Sequence, residues 1–255
     1  MKVIKLGGSL LDDPQRRAKA LAAIVERWNA GEELVLVHGG GKHIDAALAK
    51  AGIEKRTHAG LRITDDATLQ IVVSVLGGQV NKMLVAELTA LGVRTAGISG
   101  CDGGTLIAER HKPINGIDLG NVGHVTGGNG ALLQAMLDCG LMPVVSTIAQ
   151  GPAGTLLNVN ADSGAAAIAV ALGASTLHFI TDVPGLLDDD GNVVPHLDAV
   201  GVEAMLDSAA VTGGMKPKLQ AALTALRAGV GQITIAAPRT DNRQTTTGGT
   251  TLVAA

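Results

Sequence analysis

Two lysines, one aspartate and several glycine turns are the residues in this chain whose types and spacing could do chemistry. In Leu157-Asn158-Val159-Asn160-Ala161-Asp162 three polar side chains occupy alternate positions, so an extended backbone aims them one way. Two amides bind an oxygen-rich ligand without adding charge, and a carboxylate can hold a lysine in place. The same residues also make an ordinary Asn/Asp turn with a helix cap, since these are the usual capping types. Lysines elsewhere turn the balance towards chemistry. Lys5 lies in Val3-Ile4-Lys5-Leu6, just before the pair Gly7-Gly8. A lysine near the end of a buried strand sits at the rim where open α/β sheets place ligands, and paired glycines let backbone N–H groups approach one. Lys218 follows Thr212-Gly213-Gly214-Met215 at the start of an amphipathic helix, with Pro217 near its first turn. Helix N-termini attract phosphate, and a lysine adds full charge to the partial charge of the dipole. Each lysine also has a plainer reading: one snorkelling from a strand end, the other exposed on a helix.

A further glycine turn, His38-Gly39-Gly40-Gly41-Lys42, follows the apolar run Leu34–Val37. It lacks the spacing of a P-loop and the Ser/Thr after its lysine, and no Gly-x-Gly-x-x-Gly follows the first strand. Three glycines after a strand suit a backbone cradle for an anion, or form a plain loop.

Holding such groups together requires a framework of alternating elements. Predicted strands are Lys2–Leu6, Leu34–His38, Val93–Ser99, Pro143–Ile148, Leu177–Thr181 and Gln232–Ala236. Predicted helices are Pro14–Asn29, His43–Ala51, Asp65–Leu91, Asn129–Cys139, Ser163–Leu172, Val202–Ala209 and Lys216–Gly229. Such alternation is the pattern of βαβ units around a mostly parallel sheet. A glycine-rich region from Gly100 to Gly128 is expected to hold a hairpin excursion, Thr245–Thr251 is a Thr/Gly-rich tail, and a lobe boundary is placed near Gly173.

The 255 residues suffice for one large α/β domain or two lobes sharing a sheet, and 46% of them are apolar. Aromatics are 1%, with Phe179, Trp28 and no tyrosine, so the core must form by close helix–sheet approach. That scarcity argues against single-stranded nucleic acid as a partner, and a net charge of −3 removes the basic surface a duplex needs. Cys101 and Cys139 are read as reduced thiols of a cytoplasmic protein without a signal peptide, and they do not make a zinc site. Apolar runs such as Ala165–Leu172 fall short of the roughly 18 residues a membrane span needs.

Together, Lys5-Leu6-Gly7-Gly8-Ser9, Val37-His38-Gly39-Gly40-Gly41, Asn158–Asp162, Thr181-Asp182-Val183-Pro184-Gly185 and Gly214-Met215 with Lys218 three residues on resemble the amino-acid kinase superfamily. The motifs run in order over essentially the whole chain. Within that superfamily, Gly60-Leu61-Arg62-Ile63-Thr64-Asp65 resembles the segment with which acetylglutamate kinases bind the substrate's α-carboxylate. The resemblance implies a three-layer αβα sandwich with an open, mainly parallel sheet and two lobes. Residues 1–173 would hold the acyl amino acid and the dimer contact, and residues 174–255 would hold ATP. It implies phosphorylation of the γ-carboxylate of N-acetyl-L-glutamate by ATP with Mg²⁺, in arginine biosynthesis. Lys5 and Lys218 would stabilise the transition state and Asp162 would orient them. Gly40, Gly41, Arg62, Asn158 and Asn160 would bind the acyl amino acid. Gly7, Gly8, Thr181, Asp182, Val183, Pro184, Gly185, Leu186, Val211, Thr212, Gly213, Gly214 and Met215 would line the nucleotide site, and no side-chain metal site is expected. Partners would be the two small substrates and a second copy of the chain, with no nucleic acid and no membrane.

Elementary chemistry agrees with that implication. A γ-carboxylate, with a pKa of about 4.3, is ionised at neutral pH and needs no general base. Phosphoryl transfer then demands positioning and charge neutralisation, which lysines and glycine N–H groups supply. Two alternatives stay open. One is a kinase of carrier-protein-linked aminoadipate or glutamate in lysine biosynthesis, which would want a basic rim and departs from the Gly-Leu-Arg pattern. The other is a non-catalytic nucleotide sensor, which has less need of transition-state groups. The chain begins at its first strand, without the extension carried by arginine-inhibited hexameric relatives, so an arginine-insensitive homodimer is expected. Lys216 is read as an auxiliary lysine, His38 and His43 as structural or solvent-facing, Cys101 as a packed thiol, and Asp188–Asp190 as a solvated turn.

Overall fold

The computed structural model describes residues 1–208, 211, 213–238 and 249–254. The chain enters through β1 (Lys2–Leu6), α1 (Gly8–Asp12), α2 (Pro14–Asn29) and β2 (Leu34–His38). Helix α2 starts where the Asp13 carboxylate accepts from the backbone N–H groups of Gln15 and Arg16, with Pro14 in the first turn. Helix α3 (Gly41–Lys50) begins directly on the glycine turn after β2, and a short hairpin of β3 (Thr57–His58) and β4 (Leu61–Arg62) follows. Next comes one 25-residue helical rod made of α4 (Asp66–Val73), a π-helical stretch Ser74–Val80, and α5 (Asn81–Ala90). Then follow β5 (Thr95–Ser99), β6 (Ile107–Arg110), β7 (Val122–Gly127), α6 (Ala131–Asp138), β8 (Met142–Ser146), β9 (Ile148–Gln150) and β10 (Leu156–Val159). The remainder is α7 (Ala161–Ala171), β11 (Thr176–Ile180), β12 (His196–Asp198), α8 (Ala199–Leu206), α9 (Met215–Arg227), β13 (Gln232–Ala236) and β14 (Thr250–Val253).

Eight strands form the main sheet in the order β12-β14-β13-β11-β1-β2-β8-β5, all parallel to their neighbours except where β14 runs against β13. Strand β1 pairs with β2 on one side and β11 on the other, so the sheet runs unbroken past Gly173, which lies in the turn between α7 and β11. The expected excursion is a β6–β7 hairpin, and it closes with β9 and β10 into a small barrel. Alternation along β1 sorts its side chains between two cores. Val3 joins the cluster built from α7 and α9, whereas Ile4 and Leu6 join the cluster under α2 and α3. Lys5, in phase with Val3, therefore emerges on the α7–α9 side.

Several boundaries differ from the sequence reading for identifiable reasons. The predicted His43–Ala51 helix starts two residues earlier, because the glycine turn itself leads into helical backbone. Asp162 belongs to the first turn of α7 rather than to an extended strand, since β10 ends at Val159 and Asn160 caps the helix. The tail forms part of β14 at Thr250–Thr251, between β12 and β13, while residues 245–248 lie outside the described residues. The rod Asp66–Ala90 is by length and composition apolar enough to cross a membrane, contrary to the expectation that no stretch approaches that length. Its Val72, Leu76, Val80, Leu84 and Leu88 are buried in the core beneath the sheet.

Candidate active site

Three elements deliver the charged groups to one point. Lys5 comes from the end of β1, Asp162 from the first turn of α7, and Lys218 from the first turn of α9. Asn160 accepts from the backbone N–H groups of Asp162 and Ser163, which sets the start of α7 and the aim of the carboxylate. One oxygen, Asp162 Oδ1, lies 2.8 Å from Lys5 Nζ and 3.0 Å from Lys218 Nζ. All three residues are buried, at 6–7% exposure. The Lys218 ammonium also lies 5.1 Å from the centroid of the Phe179 ring, a favourable cation–π position.

Burial works against ionisation of Asp162, yet the two ammonium groups hold its carboxyl below the usual carboxylate range. Burial, and then Lys5, push the Lys218 ammonium below its ordinary value, partly offset by Asp162. Two cations around one anion leave a net positive charge, and an arriving anionic group would relieve it.

The glycine turns face each other beside this triad. A Cβ built on Gly8 would lie 3.9 Å from the backbone N of Gly41. Gly40 is needed for space, as its Cβ would come within 2.9 Å of Leu76. Gly7 is needed for the approach of the loop after β11, since its N–H donates to the Ile180 carbonyl at 2.8 Å and its Cβ would lie 3.0 Å from that oxygen. The Gly7 amide is therefore already engaged, and Gly8 faces the cavity instead. That cavity, of about 290 Å³, is lined by Lys5, Gly8, Gly39–Gly41, Arg62, Thr147, Asn158, Asn160 and Asp162, with Ile44, Leu61, Leu76 and Val122 among its apolar walls. Every residue predicted to bind the acyl amino acid borders it. Asn160 both borders the cavity and caps α7. Asn158 donates to Thr64 Oγ1 at 3.1 Å.

At the far side, Arg62 donates through Nη2 to Asp45 and, at 3.3 Å, to the Gly41 carbonyl. Its Nη1 is buried with no hydrogen-bond partner among the described residues. Asp45 is a site residue that the sequence did not announce. Its partner is 17 positions away, and nothing in the α3 pattern marks it.

Of the predicted nucleotide residues in the loop after β11, Asp182 reaches Lys218. Thr181 follows β11 and donates to the Asp182 carboxylate at 3.1 Å, and Asp182 acts electrostatically on Lys218. Asp182 also borders a second cavity of about 260 Å³, with Leu10, Arg16, Lys19, Ala237 and Pro238. Leu186 and Val211 are buried, Gly213 and Gly214 lead into Met215 at the start of α9, and Thr212 lies outside the described residues. Lys216 is exposed while Lys218 points inward. His38 is fully buried, bonded to Asn81 and to the Gly39 carbonyl, and burial pushes its pKa down to about 4, so it is a neutral structural group. His43 approaches Asp12 at 3.1 Å. Cys101 is half-buried, and burial followed by Asp102 raises its thiol pKa.

Asp162→Asn should lower stability by about 3 kcal/mol at pH 7, because it leaves two buried ammonium groups without their counter-charge. The folded carboxyl is depressed, so its contribution is present above the ordinary carboxylate pKa and fades as pH falls below about 4. Urea midpoints of wild type and variant should differ by a constant gap from pH 7 to 5, and the gap should narrow towards pH 3. A gap that ignored pH would show that Asp162 is not ionised in the triad.

Residues 1–237 match the amino acid kinase family. The acetylglutamate kinase of Methanopyrus kandleri is 45% identical over 235 residues, covering 90% of this chain and 92% of that protein. The acetylglutamate kinase of Solibacter usitatus is 43% identical over 234 residues, covering 92% and 90%. Among solved structures, a Streptococcus mutans protein superposes with a TM-score of 0.86 at 30% identity, over 100% of this chain and 98% of its own. Carbamate kinase from Giardia lamblia, bound to AMP-PNP, has a TM-score of 0.68 at 15% identity over 100% and 98%, a likeness of fold alone. With a family match over most of its length and relatives above 40% identity across it, this chain belongs to the amino acid kinase family.

Proposed function

We propose that this protein transfers the γ-phosphoryl group of ATP to the γ-carboxylate of N-acetyl-L-glutamate, a reaction of arginine biosynthesis. The carrying observation is the buried pair Lys5 and Lys218 on one carboxylate oxygen, beside a cavity bordered by glycines and Arg62, in a chain 45% identical to an acetylglutamate kinase. The γ-carboxylate oxygen attacks the γ-phosphorus, the bond to the β–γ bridging oxygen breaks, and ADP leaves carrying that electron pair. No proton need be moved, since the nucleophile is already ionised. Lys5 and Lys218 meet the charge spread over the transferring group, and Asp162 keeps them aimed without cancelling both. Arg62 receives the α-carboxylate through Nη1, which has no hydrogen-bond partner among the described residues, and Gly40, Gly41, Asn158 and Asn160 hold the rest of the acyl amino acid. The loop from Thr181 to Leu186 and the start of α9 hold the nucleotide.

Among the described residues there is no cluster of three metal-ligating side chains. Mg²⁺ would enter on the ATP phosphates and supply charge neutralisation there. The working form in this reading is a homodimer. Its support is the rod Asp66–Ala90, along which Leu69, Ile71, Val73, Met83 and Val85 are only partly buried within one chain. That leaves apolar surface for a second copy. Light scattering at micromolar protein should give the mass of two chains, and a monomer would remove this part of the reading.

Substrate choice tests the acyl site. N-acetylglutamate should exceed free glutamate by at least about tenfold in kcat/KM. The cavity's bordering carboxylate, Asp162, is engaged by two lysines and cannot welcome an α-ammonium. Equal kcat/KM values would overturn the assignment.

The α9 lysines test the chemistry. Lys218→Ala should lower kcat by roughly 10²–10³, or about 3–4 kcal/mol, since it removes a preorganised charge aimed at the transferring group. Lys216→Ala should stay within about tenfold, because an exposed charge is screened. Steady-state ADP release reads both, and a larger loss for Lys216→Ala would reverse the assignment.

A further inference from the structure

The Arg62 guanidinium is one of the few strong cations on the cavity wall, yet it stands on a two-residue strand in a small hairpin. Such a strand, Leu61–Arg62 paired only to Thr57–His58, cannot by itself fix a long side chain to within the fraction of an ångström that a two-pronged carboxylate contact needs. Helix α3 supplies the missing constraint. Asp45, one turn into α3, accepts from Arg62 Nη2, and the Gly41 carbonyl at the start of the same helix accepts at 3.3 Å. With Nη2 tied on that side, Nη1 is left buried and unpartnered among the described residues, on a side chain that borders the cavity.

We propose that Asp45 is a positioning residue for recognition of the acyl amino acid. It fixes the Arg62 guanidinium to the helix that carries the glycine turn, so that its unused N–H edge is preset for a carboxylate. The proposal rests on the reading that Arg62 receives that carboxylate. Three observations carry it beyond an ordinary surface ion pair. The Arg62 side chain is 12% exposed, so the pair is poorly screened on that side. Asp45 stays ionised: burial opposes its charge, but Lys55 and Arg62 hold its carboxyl below the usual carboxylate range. Lys55 takes the other oxygen, Asp45 Oδ2, at 2.8 Å. The group Arg62–Asp45–Lys55 thus carries one net positive charge, which a substrate carboxylate can match. The same helix presents Gly41 at its start and Asp45 one turn later, so cradle and clamp move as one body.

The decisive measurement is the split between KM and kcat for Asp45→Asn and Asp45→Ala. Each should raise KM for N-acetylglutamate about tenfold, with kcat within about threefold of wild type, because a ground-state clamp binds substrate and transition state alike. The KM for ATP should not move, which also shows that the fold survives. Combined with Arg62→Ala, Asp45→Ala should add no more than about twofold to the KM effect of Arg62→Ala alone, as expected when one residue acts through the other. An unchanged KM for the Asp45 variants, or fully multiplicative effects in the double variant, would overturn the positioning role. If Arg62→Ala itself left KM unchanged, the carboxylate clamp would fall, and the proposal with it. If Arg62→Ala raised KM while both Asp45 variants did not, only the positioning role would fall.

Discussion

One carboxylate oxygen, Asp162 Oδ1, organises this molecule. It stands within hydrogen-bonding distance of an ammonium from β1 and another from α9, elements that lie at opposite ends of the chain. In a dry interior neither lysine would remain charged alone, and the carboxylate could not stay ionised without them. Each partner thus makes the others tenable. The sheet order makes the meeting possible: β1 is central, bonded to β2 on one flank and β11 on the other, and α7 covers it on the side to which Lys5 points.

Close packing of small side chains lets three charged groups converge without large voids. Helix α7 begins Ala161-Asp162-Ser163-Gly164-Ala165-Ala166-Ala167 and packs on α9, whose Leu219, Ala221 and Ala222 belong to the same cluster. A Cβ on Gly164 would come within 2.7 Å of Thr147, and one on Gly39 within 3.1 Å of Ala161. An aromatic-poor composition is thus a geometric requirement here: wide rings between α7 and the sheet would hold Asp162 away from Lys5. The single phenylalanine stands where its face serves Lys218.

Elements with one dominant local signal were legible in the sequence. The strands Lys2–Leu6, Leu34–His38 and Gln232–Ala236 and the helix Pro14–Asn29 lie where continuous apolar runs or a capped amphipathic period place them. The barrel strands after Gly100 were less so, because they are short, rich in glycine and paired across long separations, and β12 and β14 carry too few residues to show a period. At the site, glycine turns and lysines could be picked out by type, since few other roles need three glycines after a strand. The Asp45–Arg62 pair could not, because an acidic residue on a half-exposed helix looks like any solvated one. Asn160 was ambiguous for a physical reason: capping and ligand binding use the same amide.

The π-helical stretch Ser74–Val80 bears on more than local geometry. The buried positions Val72, Leu76, Val80, Leu84 and Leu88 recur every four residues, a longer step than the 3.6 residues of an α-helical turn. In a uniform α-helix that stripe would wind away from the sheet, and the wider π turn takes up the surplus and brings it back. Asn81, the first residue beyond it, thereby faces His38 and the Val144 carbonyl, which brace the strand leading into the glycine turn. Phase along this rod therefore matters as much as composition. Gain of one further residue between 74 and 80 would exceed what the π turn absorbs and rotate everything after it by about 100°. That rotation would swing Asn81 off His38 and carry Leu84 and Leu88 out of the core, although every side chain type had been kept.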